Sequence, residues 1–478
     1  LVDQLTLTFT DTKGLVHGSA GCIDAAKWDQ LPGRTGTEAP GTAVLAISLD
    51  DWAHDDAWNR SAVTQTTPLT NTTSFGKIGV AADALSSRGA TIGIGLPSPL
   101  PFRVRLEEHP VRIIVEVNRD ARVEARDDPL GQAAGNIDAP RAPAYFLQNY
   151  DVWKFADGRA QPVTTTDTLE TSLAVSPDGE TLAICRASAD ADPAMLPYGV
   201  RASLWVMSAS GQDARLLADV GGCADPQFAP SGKTIAFTVN TAAALPAKLS
   251  VWTVPVVVGE PHPATPVGDE WDRYGAVWLP DSRLIYHARQ GSNLSVLFIR
   301  DDDGTEHEVT SQLLTGQTYS GIGQFVVGDN LLAVEALRAG EEGADLVLLR
   351  FDGTEVSVER RAFWQRPLAF VADELVYLST ECPSSTVQEY TLLRRKQDGT
   401  TEELLQGRTI GGIGEVVSAS DSLLMDRIDR PAPGVRGPQA APSNNARGSL
   451  WIVSADSSAR RELYEAPVPL FNIRVGSP

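Results

Sequence analysis

Residues Ala174-Val-Ser-Pro-Asp-Gly-Glu-Thr-Leu-Ala-Ile184 join two short apolar runs through a Pro-Asp-Gly turn. Proline presets φ and glycine accepts positive φ, so the pattern predicts a β-hairpin. The stretch returns as Gln227-Phe-Ala-Pro-Ser-Gly-Lys-Thr-Ile-Ala-Phe237 and as Val277-Trp-Leu-Pro-Asp-Ser-Arg-Leu-Ile-Tyr286, with weaker copies at 325–334, 369–377 and 415–425. A second hairpin alternates with it. Ser203-Leu-Trp-Val-Met-Ser-Ala-Ser-Gly211 has counterparts at 151–158, 250–254, 295–304, 345–353, 390–399 and 449–456.

Glycines 158, 211, 259, 304, 353 and 399 mark the second turn, about 45 to 53 residues apart. Two hairpins per period make one four-stranded blade of a β-propeller. The first hairpin is missing from the unit at 145–163, and an unmatched apolar strand, Leu470-Phe-Asn-Ile-Arg-Val475, ends the chain. Pairing the two leaves no open sheet edge. The expected fold is therefore all-β: a seven-bladed propeller with four-stranded blades, or a six-bladed one if 145–163 packs elsewhere. An ordinary β-sandwich would not place these turns in register.

The runs SPDGETLAI and APSGKTIAF, followed by a Leu-Trp and a Val-Trp strand and a second turn, resemble TolB-like (WD40-like) propeller blades. That resemblance implies fold more than function, because such blades serve binding proteins, peptidase gates and lyases. Residues 1–126 lack the repeat. Their candidate strands are 5–9, 43–49, 90–96, 102–106 and 111–117. The last alternates at Val111, Ile113, Val115 and Val117, which predicts one buried face. Together with Thr91–Leu96 and Phe102–Leu106 it resembles the end of AMIN-like β-sandwich modules of bacterial cell envelopes. The expected division is 1–126 for this domain, a Pro-rich linker at 127–143, and the propeller at 144–478.

The formal net charge of −21 argues against a nucleic-acid partner and against anionic membranes. No run of 18 apolar residues is present, so no transmembrane segment is expected. The chain begins at Leu1 rather than Met, which suggests a removed signal peptide or lipoprotein leader and an exported protein. Cys22, Cys185, Cys223 and Cys382 form no CxxC pair, so disulfides and free thiols both remain open. Cys185 ends one blade's second strand and Cys223 opens the next blade's first strand, close enough to bridge.

Catalytic signals are weak. No G-x-S-x-G occurs in these residues. The six histidines form no HxH or HxxxH pair, so no metal site and no cofactor are expected from them. The acidic run Asp50-Asp-Trp-Ala-His-Asp-Asp56 could hold structural Ca²⁺ but matches no EF-hand spacing, and a solvated loop is the simpler reading.

In a propeller the hairpin turns share one face and the remaining connections share the other. Here the hairpin turns are short, while the connections at 186–202, 306–320 and 430–448 are long and irregular. Tyr198, Trp271, Arg273, Tyr274, Tyr319, Trp364 and Arg366 gather on or near that loop-rich face. Tyr, Trp and Arg are favoured interface anchors, and these seven are the candidate partner-binding set. Each could instead pack blade to blade. The expected function is non-catalytic binding of a protein or glycan at the cell envelope or outside the cell. A polysaccharide lyase or glycosidase, and a subunit of a larger surface assembly, are the alternatives.

Overall fold

The computed structural model describes residues 133–476, except 192–197, 243–247, 258, 292–294, 316–317, 340–342, 361–363, 381–386, 430–446 and 469. Among residues 1–132 it describes eight strands. The acidic run 51–56, Cys382 and most of the loop 430–448 lie outside the described residues.

The N-terminal strands form two antiparallel sheets. One joins Val2–Thr8, Val111–Asn118 and Phe102–Glu108. The other has five strands, with Ala43–Asp50 between His17–Asp24 and Ala90–Leu96. In Val111–Asn118 the neighbours Ile114 and Val115 are both buried. Adjacent strand residues point to opposite faces, so this strand is covered on both sides and not on one as its alternation suggests.

From Ala144 onward the chain folds into four-stranded antiparallel sheets that fit a β-propeller. Leu169–Val175, Thr181–Ala187, Ala202–Ser208 and Arg215–Ala218 form the first complete unit in chain order. The units starting at Ala224–Phe228 and Trp271–Trp278 repeat the same up-and-down order. A larger sheet then runs from Tyr319–Val327 to Arg460–Ala466. Within it, Thr401–Ala419 serves one meander with its first half and the next with its second. Leu470–Val475 pairs antiparallel with Ala144–Gln148, whose other neighbour is Asp151–Ala156. The last strand therefore completes the sheet begun more than 300 residues earlier.

The glycine-bearing hairpin turns close as their residues require: Gly179, Gly232 and Gly304 have positive φ, and each donates its N–H back across the turn. The third strands explain the recurrent Ser-x-Trp. The indole N–H of Trp205, Trp252 and Trp451 donates to the hydroxyl two residues earlier, at Ser203, Ser250 and Ser449, over 3.0, 2.8 and 3.0 Å. An aromatic ring thus stays on a half-buried strand with its polar atom satisfied.

Between units lie layers of fully buried Leu, Ile, Val and Phe, such as Leu204, Ile235, Phe237 and Val239 around Cys185 and Cys223. Those two cysteines form a disulfide between adjacent units, with Cα atoms 5.4 Å apart. The end of the Pro-rich segment is docked: Ala134 bridges to Arg460, and Ile137 and Ala139 pack on the apolar layer containing Leu470 and Ile473.

Candidate functional site

Leu169–Val175 packs on Ala224–Phe228, that strand on Trp271–Trp278, and Trp364–Val371 on both Tyr319–Val327 and Thr401–Ala419, while Leu470–Val475 touches both Thr401–Ala419 and Leu169–Val175. These first strands fit positions around the axis of a propeller. Each of them carries a register break, between Glu170/Ser172, Ala224/Gln227, Tyr274/Val277, Ile322/Phe325, Pro367/Ala369, Ile413/Val416 and Phe471/Arg474. A β-bulge frees backbone N–H groups from the ladder, and buried ones need other acceptors.

Side chains provide them. The N–H of Asp225 donates to Ser172 Oγ (3.3 Å) and that of Gly275 to Thr238 Oγ1 (3.1 Å). Leu173 N–H donates to Asn472 Oδ1 (3.3 Å) and Ile473 N–H to Glu415 Oε2 (2.9 Å). Three bulges hold a residue at positive φ, Asp225, Gly275 and Asn472, all types that tolerate the left-handed region.

Two bulges use buried acids. Glu335 Oε2 accepts from Gln324 N–H at 2.7 Å, and its other oxygen takes the indole N–H of Trp364. Asp426 accepts from the Glu415 N–H. Both acids stand opposite Gly-Ile-Gly segments, 321–323 and 412–414. A Cβ at Gly323 or Gly414 would collide with the carboxylate, so the glycine makes its room. Elsewhere the position opposite the bulge is apolar or aromatic, as at Phe146, Phe237 and Tyr286.

Arg366 lies between these acids. Its guanidinium donates to the carbonyls of Ile413 (3.0 Å) and Gly414 (3.1 Å) and interacts electrostatically with Glu335 and Asp426. Burial lowers its pKa from the ordinary arginine value and raises that of Glu335. Asp426 is 2% exposed, and burial followed by the nearby Glu415 charge pushes its pKa up to about 7. Glu415 is ion-paired to Arg474 of the closing strand. Arg474 and Glu415 both act on Asp225, which receives the Tyr198 hydroxyl.

Aromatic rings continue the wall. Tyr198 meets Tyr274 edge-on at 5.9 Å, and Tyr274 stacks on His287 at 5.3 Å. Phe325 closes on the imidazole at 5.1 Å, and Arg289 lies over Tyr274 at 5.6 Å. Burial lowers the His287 pKa to about 4, so the ring is neutral near pH 7.

The seven anticipated anchors therefore divide. Tyr198 and Tyr274 touch, and Trp364 and Arg366 share Glu335. Trp271 is half-buried beside Phe298 (5.3 Å). Arg273 and Tyr319 are buried and held within the chain. Arg273 makes a two-pronged pair with Asp269 (2.8 and 2.9 Å) and a bond to Glu306 (3.0 Å). Tyr319 donates to Asp345 (2.9 Å), which also accepts from Arg338 and Arg360, each at 2.7 Å. Asp225, Glu335, Glu415, Asp426 and Arg474 lie outside those seven. The repeated Gly-Ile-Gly ahead of Gln324 and Glu415 is the signal that marks two of them.

Among the described residues no group of three or more His, Cys, Asp or Glu is arranged to hold a metal ion, and no helix is long and apolar enough to cross a membrane. No protein-family model matches the chain, and no curated protein matches it. Solved structures similar to it include TolB from Acinetobacter baumannii, with TM-score 0.41, 13% identity, and coverage of 70% of this chain and 66% of that one. They also include a prolyl endopeptidase (0.48, 10%, 72% and 50%) and an oligogalacturonate lyase in complex with manganese (0.44, 12%, 69% and 85%). A TolB-like propeller fold fits these neighbours, and the chain spans about half the length of the endopeptidase. Likeness at this level describes architecture and does not reach function.

Proposed function

We infer that this chain is an exported cell-envelope or extracellular protein that binds a protein or glycan at the loop-rich face of a seven-bladed propeller. The propeller comprises residues 144–478, and the N-terminal unit, 1–126, positions it. The observation that carries this reading is the support under the rings of the face. Tyr198, Trp271 and Tyr274, each partly exposed, are held by hydrogen bonds and ring contacts. Anchors ordered in advance lose little entropy on association.

A photo-crosslinking residue at Trp271 tests it, with one at Asp302, in a turn on the opposite face, as control. Discrete adducts with envelope components from position 271 alone support the reading. Equal patterns from both positions, or none from either, overturn it.

A second reading, an enzyme acting on polysaccharide, draws on one observation: the carboxyl groups of Asp225, mostly buried, and Glu415, partly exposed, interact with each other and with Arg474. Incubation with a polysaccharide panel would then release reducing ends, and Asp225→Asn would abolish the release.

A further inference from the structure

The Asp426 carboxyl is buried where the Glu415 charge acts on it, and among the described residues it forms no ion pair. One of its oxygens accepts from the Glu415 N–H, while Oδ1 has no hydrogen-bond partner. Arg366 faces it from the first strand of the preceding unit, but that guanidinium is directed at the carbonyls of Ile413 and Gly414. Glu415 faces it from the first strand of its own unit and is engaged by Arg474 and by Ile473 N–H of the closing strand. Its partner on the third strand is the apolar Leu450, and its neighbour Arg427 points to the other face of the same strand. An ionised carboxylate buried without a counter-ion costs several kcal/mol, and taking up a proton relieves that cost.

We propose that buried Asp426 carries a proton, and that this proton ties closure of the propeller ring to pH. With the proton bound, Asp426 is neutral. Glu415 then presents one negative charge to Arg474 and Ile473. With the proton lost, two carboxylates face each other. Repulsion moves Glu415 away from Asp426 and loosens its hold on Leu470–Val475. The disturbance reaches Asp225, and so the Tyr198 hydroxyl on the loop-rich face, because Asp225 is influenced by the same Arg474 and Glu415. This inference rests on the fold and is independent of what the face binds.

The direction follows from linkage. Burial raises the Asp426 pKa from 3.8 in the unfolded chain to about 7 in the folded one. Stability from this group is fully present below about pH 4 and is lost as pH rises through about 7. A single group changes the folding constant by at most tenfold per pH unit.

The test is denaturant unfolding of the full chain between pH 5 and pH 8, for wild type and for Asp426→Asn, which is neutral throughout. The wild-type folding constant is expected to fall about 10- to 100-fold across this range, while the variant loses at least tenfold less. Amide exchange at Ile473 should accelerate with pH in wild type and not in the variant. Equal pH dependence in both proteins overturns the proposal. If the variant does not fold, difference infrared spectroscopy of wild type decides. A protonated-carboxyl band that disappears between pH 6 and pH 8 supports it, and absence of that band at pH 6 overturns it.

Discussion

The backbone N–H of Leu173 donates to the side-chain oxygen of Asn472 across 299 residues of chain, over 3.3 Å. Asn472 holds φ at 54°, in the bulge of the last strand, and that geometry turns its amide toward the neighbouring unit. The closing strand is thus held on both sides, by the ladder to Ala144–Gln148 and by this bond to Leu169–Val175.

Removal of residues 468–478 should unlock the ring. It would strip Leu470 and Ile473 from their apolar layer and expose two strand edges. The expected result is a melting temperature lower by about 10 °C or more, with self-association. Differential scanning calorimetry with light scattering checks this. A truncated chain that stays monomeric and melts with the intact one would sink the closure.

The Cys185–Cys223 disulfide closes a loop over a sequence separation of 38. Restricting the unfolded chain to that extent contributes about 2–4 kcal/mol. Cys185→Ser with Cys223→Ser should lower the denaturant midpoint accordingly. The wild-type protein should lose the same amount on reduction, while the double variant is indifferent to reductant.

Asp345 has no exposed surface and gathers Arg338, Arg360 and the Tyr319 hydroxyl. Asp345→Ala removes the carboxylate that pairs with Arg338 and Arg360 and accepts the Tyr319 hydroxyl, at a cost of about 3–5 kcal/mol. Asp345→Asn keeps the side-chain volume and one acceptor oxygen and should cost less. Chemical denaturation compares the two, and equal losses would show that the charge, which both variants remove, accounts for the whole effect.

Fold and site were unequally legible in the sequence. Hairpins such as 174–184 were readable because turn chemistry is local: Pro, Asp and Gly impose their conformations whatever surrounds them. The disulfide followed from strand order alone. The fates of Arg273 and Tyr319 were not readable. An arginine at a strand start looks the same whether it meets solvent or the acids Asp269 and Glu306, one of them 33 residues further on. The bulges also left no composition signal, apart from the paired Gly-Ile-Gly segments, because a bulge depends on register against a partner strand.

Those segments supply the last prediction. Gly323 has no left-handed φ, so alanine fits the backbone, and the atoms nearest its Cβ are those of the Glu335 side chain. Gly323→Ala should displace that carboxylate from Gln324 N–H and from Trp364, destabilising by about 1–3 kcal/mol. Glu335→Ala should cost a similar amount or more, because it leaves a buried N–H and an indole N–H without acceptors. With Glu335 already removed, the three atoms nearest the added methyl are gone, and Gly323→Ala should then cost less than about 0.5 kcal/mol. A double-mutant cycle by urea unfolding measures this. A coupling of about 1 kcal/mol or more places the carboxylate in the space left by the glycine, whereas strictly additive losses would mean that the acid sits elsewhere.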